Sequence, residues 1–268
     1  MAAQEPSRHL DQHPWAKFPV GSWKTVEVIG ETLDDRGSVT NVTHTETRTT
    51  LQELGENTYT LRIEVTLQVA GKRFPTQVQV VKHGFHGETP GQTVEVKRQG
   101  NGEVSISGRK LAVEQLLVSV SADDYLRVST IQHASDIPPY QLRRETTITP
   151  RDPTGKATTT KVEVVALELP QRVLGELKPA AIVKTVQNHA TGLAVTLEVQ
   201  CDDVPGGVVS HSASERNETG RVVRRSTLDI VDYSIGAGRI EEPTSVIRRR
   251  KYNRARRRGE EIFPAPQR

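Results

Sequence analysis

Residues 206–233 read GGVVSHSASERNETGRVVRRSTLDIVDY, and the rest of the chain is organised around this segment. Two runs rich in β-branched residues flank a polar turn at residues 217–220, and this pattern predicts a long β-hairpin. The same design recurs at residues 139–167, with a turn at 151–155, and again at residues 21–51. Three hairpins of one design predict an architecture built from strands.

The clearest single strand is predicted at residues 58–70. Its apolar and polar side chains alternate with a period of two, as in a strand that buries one face. At about 3.3 Å per residue it would run roughly 40 Å, which favours a broad curved sheet over a compact barrel. Helix is expected only as a short turn at residues 169–177. We therefore predict an all-β fold, an extended curved antiparallel sheet, half-barrel-like and built from duplicated long hairpins.

A repeat with a spacing near 67 residues runs through the second half of the chain. Residues 135–138 (SDIP) correspond to residues 202–205 (DDVP), and each proline would sit at a corner between strands, where a missing N–H donor is tolerated. The predicted β domain spans residues 18–235, with its duplicated units at about 108–168 and 175–233. A flexible segment is expected over residues 1–17.

Positive charge is concentrated at the end of the chain. Residues 236–268 hold ten basic and four acidic residues, so they contribute +6 to a net charge of +3 and leave the remainder at −3. A disordered polycationic tail of this kind would attract the phosphates of nucleic acid or of anionic lipid. The alternative is a solvated terminus that only aids solubility. The candidate anion-binding residues are Arg248, Arg249, Arg250, Lys251, Arg254, Arg256, Arg257 and Arg258.

The remaining composition predicts a cytoplasmic protein. Residues 1–17 contain neither the apolar run of a signal peptide nor a lipid-attachment cysteine. No apolar run reaches the roughly 20 residues of a membrane helix, so no transmembrane segment is expected. The single cysteine, Cys201, excludes an intramolecular disulfide. Because its acidic neighbours disfavour the thiolate, we expect this thiol to be inert.

Several motifs, taken together, carry a resemblance. HPWAKFPVGSW, GKRF followed by KHGFHGE, DIPPYQLRRE, RVLGE and DVPGGVVSHS with GRVVRRSTLDIVDY resemble a family of bacterial β-rich domains across roughly residues 13–235. No activity is assigned to that family, so the resemblance implies a fold and no particular function. In architecture alone the chain is similar to the lipoprotein-carrier superfamily, whose curved half-barrels bind acyl chains or other hydrophobic ligands. It departs from those carriers because it lacks an export signal and the helices that form their lid.

Two histidines are the candidate metal ligands. His83 and His86 lie three residues apart in a glycine-rich segment, near Glu88. Imidazole and carboxylate are ordinary zinc ligands, but a catalytic site needs a third ligand, which the sequence does not locate. The alternative is a structural turn whose glycines adopt positive φ, with Phe85 in the core.

Other apparent catalytic groups have structural explanations. His211 lies between Ser210 and Ser212, but neighbouring residues of a strand face opposite sides, so the imidazole cannot readily activate either hydroxyl. Asp202 and Asp203 precede a corner proline, where aspartate is a good turn residue. The glycines at 206–207 precede a strand and not the helix N-terminus that a phosphate loop requires.

The sequence therefore favours a non-enzymatic binding or interaction module without a cofactor, whose partner is a protein or a ligand. One alternative is a carrier that holds a hydrophobic ligand in the concavity of a half-barrel. That face would be lined by Leu61, Ile63, Val65, Leu193 and Val195. A second alternative is a metal-dependent hydrolase centred on His83 and His86. A carrier requires a concave face that is apolar and open, which a polar and filled face would not provide.

Overall fold

The computed structural model describes residues 10–236, which form one short 3₁₀ helix at Leu10–Gln12 and fourteen β-strands. The strands are β1 (Trp23–Leu33), β2 (Val39–Leu54), β3 (Thr58–Val69), β4 (Lys72–Arg73), β5 (Gln77–Gly84), β6 (Thr93–Ile106), β7 (Arg109–Ser121), β8 (Tyr125–His133), β9 (Gln141–Pro150), β10 (Thr158–Val173), β11 (Glu176–His189), β12 (Gly192–Gln200), β13 (Val208–Asn217) and β14 (Val222–Ser234). All of them belong to one open, curved antiparallel sheet, so the predicted fold class is confirmed. No helix within this part of the chain has the length and apolarity of a membrane span.

The order of the strands explains the curvature of the sheet. It runs β4-β3-β2-β1-β14-β13-β12-β11-β10-β9-β8-β7-β6, and β5 pairs with β3 beside β4. Consecutive strands β5 and β6 therefore lie at opposite ends of the sheet, although only residues 85–92 connect them. A segment of that length spans at most about 30 Å. The sheet must curve to bring its two ends within this distance.

Directly paired residues in an antiparallel ladder point to the same side, so the register defines two faces. We call one side the inner face, because the buried residues of most strands lie on it, among them Val26, Ile131 and Val183. One row crosses the inner face through Leu67, Thr45, Val28, Leu228, His211, Glu198, Val183 and Val164. The adjacent row on the opposite, outer face passes through His44, Ile29, Thr227, Ser212, Leu197, Lys184 and Glu163.

The largest hydrophobic cluster forms where the β6–β7 hairpin packs on the sheet. Val164 and Val183 of β10 and β11 contact the end of this hairpin, and the cluster includes Val104, Ile106, Leu111, Val113, Ala134, Leu142 and Ala181. A hydrogen bond from the Ser107 hydroxyl to the Val165 carbonyl oxygen (3.3 Å) accompanies the contact. The hairpin therefore covers this part of the inner face.

The predicted repeat spacing holds for the backbone. β7, β8 and β9 each begin 67 residues before β11, β12 and β13, respectively. The two corners also have equivalent hydrogen bonds, each of 2.8 Å. In the first corner Ala134 N–H donates to Tyr140 O, and Tyr140 N–H donates to Ile137 O. In the second corner Cys201 N–H donates to Gly207 O, and Gly207 N–H donates to Val204 O. We refer to β7–β10 and β11–β14 as the first and second units.

The helical turn predicted at residues 169–177 is wrong. Leu174 (φ 49°) and Gly175 (φ 100°) both have left-handed backbone conformations and connect β10 directly to β11. Two consecutive residues with positive φ form the tight turn that suits the twist of a hairpin. Pro170 and Pro179 pair across the same ladder, so neither proline ends a helix.

Residues 13–18 pack on the sheet, so residues 13–17 of the segment expected to be flexible (1–17) are ordered. Trp15 and Phe18 are buried, and the Pro14 carbonyl accepts a hydrogen bond from the Gly206 N–H (2.7 Å). The Nδ1 atom of His13 accepts the N–H groups of Trp15 (3.2 Å) and Ala16 (3.0 Å). This pattern caps the following turn, as a side-chain acceptor does at a helix start.

Candidate functional site

A groove on the outer face is the candidate binding site. In one row Leu197, Ser212, Thr227 and Ile29 are paired across β12, β13, β14 and β1. The side chains on β12 and β1 are large, whereas those on β13 and β14 between them are small. This difference leaves a depression that runs parallel to the strands. Its volume is about 480 Å³. The lining residues are Ile29, Glu31, Val195, Leu197, Ser212, Ala213, Ser214, Arg225, Ser226 and Thr227.

Both walls of the groove carry apolar side chains that are open to solvent. The Leu197 side chain is 48% exposed and Ile29 is 38% exposed. Arg225 and Glu31 form an ion pair at one wall, where the guanidinium leans towards β1. Single exposed apolar residues are normal on a protein surface, but several that line one depression indicate a surface able to bind a partner.

The floor of the groove carries a row of hydroxyl groups. Ser212 and Ser214 lie on the outer face of β13 and line the groove, and Ser210 continues the row beyond the lining residues by the same alternation. No hydrogen bond joins these three hydroxyls to another side chain or backbone group within residues 10–236. Each hydroxyl can both donate and accept a hydrogen bond, so the floor offers polar partners between apolar walls.

The centre of the inner face carries a cluster of charged groups. Glu198 pairs with His211 across the β12–β13 ladder, and its carboxylate accepts a hydrogen bond from Gln200 Nε2 (2.8 Å). Burial lowers the pKa of Lys24 to about 8, and the negative charge of Glu198 opposes that shift. Burial, followed by repulsion from Arg127, lowers the pKa of the Arg144 guanidinium, again opposed by Glu198.

His211 belongs to this inner cluster and not to the serine row. Burial lowers the pKa of its imidazole, whereas Glu198 and Asp229 act to raise it. Its neighbour Ser212 lies on the outer face, so the sequence argument that separated His211 from the adjacent serines is correct. The inner face is thus polar at its centre, and its apolar part on β10 and β11 is covered by the β6–β7 hairpin.

The hydrophobic-ligand face predicted from the sequence is divided by the structure. Leu61, Ile63 and Val65 lie on the inner face of β3, and Leu61 packs with Trp15. Leu193 and Val195 alternate with Glu198 along β12 and therefore lie on the outer face. Only Val195 lines the groove. Alternation revealed these apolar stripes, but it could not assign them to a common side.

The two candidate metal ligands occupy different environments. The His83 ring lies 5.8 Å from the Tyr59 ring, and its buried Nδ1 has no hydrogen-bond partner among the residues that the structure describes. The backbone N–H of His86 donates to Glu88 Oε2 (3.0 Å), and its carbonyl accepts from Arg127 Nη2 (2.9 Å). Within residues 10–236 no three histidine, cysteine, aspartate or glutamate side chains are close enough to share a metal ion. The third ligand that a hydrolase requires is therefore not found in this part of the chain.

The acidic corner residues and the cysteine have structural contacts. Asp202 forms an ion pair with Lys17 and accepts the Tyr140 hydroxyl (3.2 Å), while Asp203 pairs with Lys178 (3.4 Å). Cys201 is buried, and its burial raises the pKa of the thiol. The eight candidate anion-binding residues between Arg248 and Arg258 lie outside the described residues, so the anion-binding role of the tail stays a prediction.

Comparison with known proteins yields no family. No family model and no curated protein matches the chain. A structure from Bacteroides fragilis, provisionally described as an exported protein with a YmcC-like fold, shares 12% identity over 80% of this chain and 97% of its own, with a TM-score of 0.32. A structure from Parabacteroides distasonis, provisionally described as a lipoprotein, shares 9% identity over 81% of this chain and 97% of its own, with a TM-score of 0.31. Likeness at this level supports no statement about ligand or activity.

The prediction of a cytoplasmic location is corrected by these descriptions. One of the two structures is described as an exported protein and the other as a lipoprotein, and neither description agrees with the predicted cytoplasmic location. The prediction depended on the lack of a leader in residues 1–17, and the start of the given sequence decides nothing about location. We assign no location to the chain.

Proposed function

We propose that the protein is a non-enzymatic binding module that accepts an extended segment of a partner protein in the outer groove. The observation that supports this proposal is the arrangement of apolar side chains on both walls around a floor of serine hydroxyls that have no hydrogen-bond partner within residues 10–236, on a face of the sheet that is otherwise open to solvent. The basic residues of the tail would add affinity for an acidic partner, for nucleic acid or for anionic lipid.

The spacing of the floor favours an extended chain as ligand. Alternate residues of a strand repeat at about 6.6 Å, so Ser212 and Ser214 in the groove, and Ser210 beyond its end, present hydroxyls at that interval. An extended peptide lying along β13 presents backbone groups of one side at the same interval. Its side chains would then point towards Val195 and Leu197 on one wall and towards Ile29 on the other. The groove thus combines backbone recognition with apolar contacts.

The expected affinity is modest. Complete burial of an aliphatic side chain contributes about 1.5–3 kcal/mol, and because Leu197 and Ile29 are already about half-buried, a ligand gains only about half of that at each. The cost of ordering a peptide offsets much of the remainder. We therefore expect dissociation constants in the range of roughly 1–100 μM for a single segment.

A carrier of a hydrophobic ligand is the second candidate. The volume of the groove, about 480 Å³, is similar to that of pockets that hold small molecules, about 300–1,000 Å³. The carrier would use the outer face, since the inner face has a charged centre. Its ligand would be an acyl chain lying against Ile29, Val195 and Leu197.

One selection experiment separates the two candidates. A random peptide library is selected on the immobilised full chain, and bound peptides are measured by fluorescence anisotropy against Leu197→Glu and Ile29→Glu. The control is Val231→Glu, an exposed valine of β14 outside the groove. We expect peptides with alternating apolar residues that lose at least tenfold affinity for Leu197→Glu and none for Val231→Glu. A fluorescent fatty acid serves as the second probe.

Each outcome decides between the proposals. Failure to select any peptide whose binding depends on Leu197 would overturn the peptide-binding function. Fatty-acid binding that Leu197→Glu abolishes, without peptide binding, would support the carrier. If Leu197→Glu and Ile29→Glu both leave the binding of a probe unchanged, the groove is not the binding site of that probe.

A further inference from the structure

The two edges of the sheet differ in their protection against pairing with another strand. β6 carries Glu95, Lys97 and Arg98, is interrupted by a bulge between Arg98 and Gly100, and packs at its end near β10. Charges and bulges are the devices by which natural proteins prevent association at sheet edges. The β6 edge is therefore protected.

The first five residues of β5 lack these devices. Residues 77–81 read QVQVV, with no charge, no proline and no glycine. Among the described strands β5 pairs only with β3, and Val78 and Val80 are 51% and 60% exposed. Gln77 and Gln79, on the other side of the strand, are also exposed. The strand is thus accessible from both faces and along its outer edge.

The sequence of this edge is complementary to itself. In an antiparallel pair of two copies centred on Gln79, each Gln79 lies opposite its equivalent, and Val78 lies opposite Val80 of the second copy. Gln77 lies opposite Val81, and the nearest charged residue, Lys82, lies opposite Thr76. No like charges meet in this register. The four valines form one apolar strip on the outer face, because Val78 and Val80 alternate with Gln79.

We propose that β5 is a dimerisation edge, at which two copies of the chain pair antiparallel about a two-fold axis at Gln79. Such an interface is isologous, so it closes after two copies and does not propagate into a filament. The protected β6 edge is consistent with closure, since an open second edge would permit further addition. The proposal is independent of the outer groove, which lies on β12, β13, β14 and β1.

The mass of the full chain in solution is the first test. The monomer mass is 29.7 kDa, and we expect light scattering coupled to size-exclusion chromatography to give twice that value at high concentration and to fall on dilution. The double variant Val78→Lys, Val80→Lys should remain monomeric, because it places four positive charges in the strip. Circular dichroism verifies that this variant keeps its strands, and Val231→Lys is the matched control at an exposed position of another strand.

A disulfide trap tests the register. Gln79→Cys places two thiols directly opposite each other, at a Cα separation of about 4.5–5.5 Å that a disulfide can span. We expect a covalent dimer under mild oxidation, whereas Gln77→Cys, two residues from the axis, should give none. The native Cys201 is buried and does not compete. A full chain that is monomeric at all concentrations, a dimer that survives the double lysine variant, or equal cross-linking of Gln77→Cys and Gln79→Cys would each overturn the proposal.

Discussion

The first unit (β7–β10) and the second unit (β11–β14) share a backbone plan but differ in the side chains that it carries. Their corners have equivalent hydrogen bonds. Yet the first corner contains Tyr140 with a positive φ of 68°, and the second contains Gly206 and Gly207. A Cβ atom on Gly206 would lie 2.7 Å from the Trp15 ring. The second corner is thus shaped to receive the N-terminal segment.

The inner face shows the same divergence. Ile131 and Arg144 pair across the first unit, and the equivalent pair in the second unit is Glu198 and His211. Arg144 interacts electrostatically with Glu198, so the two units meet in the charged cluster. The comparison shows that the hydrogen-bonded framework tolerates different side chains, and that these side chains give each unit its contacts.

Removal of the Trp15 ring, which packs on the second corner, should have the largest effect on the free energy of unfolding. Trp15→Ala should lower the free energy of unfolding by about 4 kcal/mol, because it removes a buried aromatic side chain between the corner and Leu61. Urea denaturation measures this change. Gln12→Ala, which removes a hydrogen bond to Ser135 O at the first corner (2.6 Å), is the control and should cost less than about 1 kcal/mol. Similar losses in both variants would contradict the asymmetry between the corners.

Addition of a methyl group at Gly206 in the second corner should have the next largest effect on the free energy of unfolding. Gly206→Ala combines a contact of 2.7 Å with Trp15 and a φ of +73°, so we expect a loss of about 2–3 kcal/mol. Gly207→Ala is the matched control, since its φ is +72° but the nearest atom lies 3.9 Å away. Its loss should be about 1 kcal/mol, from backbone strain alone. Equal losses by urea denaturation would show that contact with Trp15 does not constrain Gly206.

The N-terminal segment should also make stability depend on pH. Burial, followed by repulsion from His86 and Lys17, lowers the pKa of His13 from 6.5 to about 4. Between these values the unfolded chain takes up a proton that the folded chain excludes, so stability falls as the pH falls from about 6.5 towards 4. His13→Asn keeps a capping acceptor without titrating. The decline in unfolding free energy from pH 7 to 4 should be smaller in this variant, by on the order of 2 kcal/mol. If the free energy of unfolding falls as much between pH 7 and pH 4 in His13→Asn as in the native chain, protonation of His13 is not the cause of the decline.

The smallest expected effect concerns the charged cluster of the second unit. Glu198→Gln removes the negative charge that opposes the burial shift of His211, so the pKa of His211 should fall further. NMR titration of the imidazole protons measures the pKa of His211. The first unit has Ile131 at the equivalent position, and Ile131→Val should leave the pKa of His211 unchanged. A rise of that pKa in Glu198→Gln would reverse the electrostatic assignment.

The sequence predicted most of the strand framework correctly. Alternation located β3, the polar turns located three hairpins, and the spacing near 67 located equivalent corners, because each of these signals is local or compares short segments. The error at residues 169–177 has a local cause, since Leu174 adopts a positive φ that is unusual for leucine. The outer groove was missed because its walls come from β12 and β1, which are far apart in sequence.

The two faces of each strand and the corners at which the chain turns back follow from local sequence patterns alone. Alternation with a period of two identifies the side chains that share a face of one strand, but it does not identify which face becomes the inner one. Leu193 and Val195 lie on the opposite side from Leu61, Ile63 and Val65. Only the register that runs from Glu198 through His211, Leu228, Val28 and Thr45 to Leu67 shows this. That assignment depends on the pairing of β1 with β14, which joins the two ends of the domain. Contacts of such long range are formed by the folded sheet as a whole, and no local pattern encodes them.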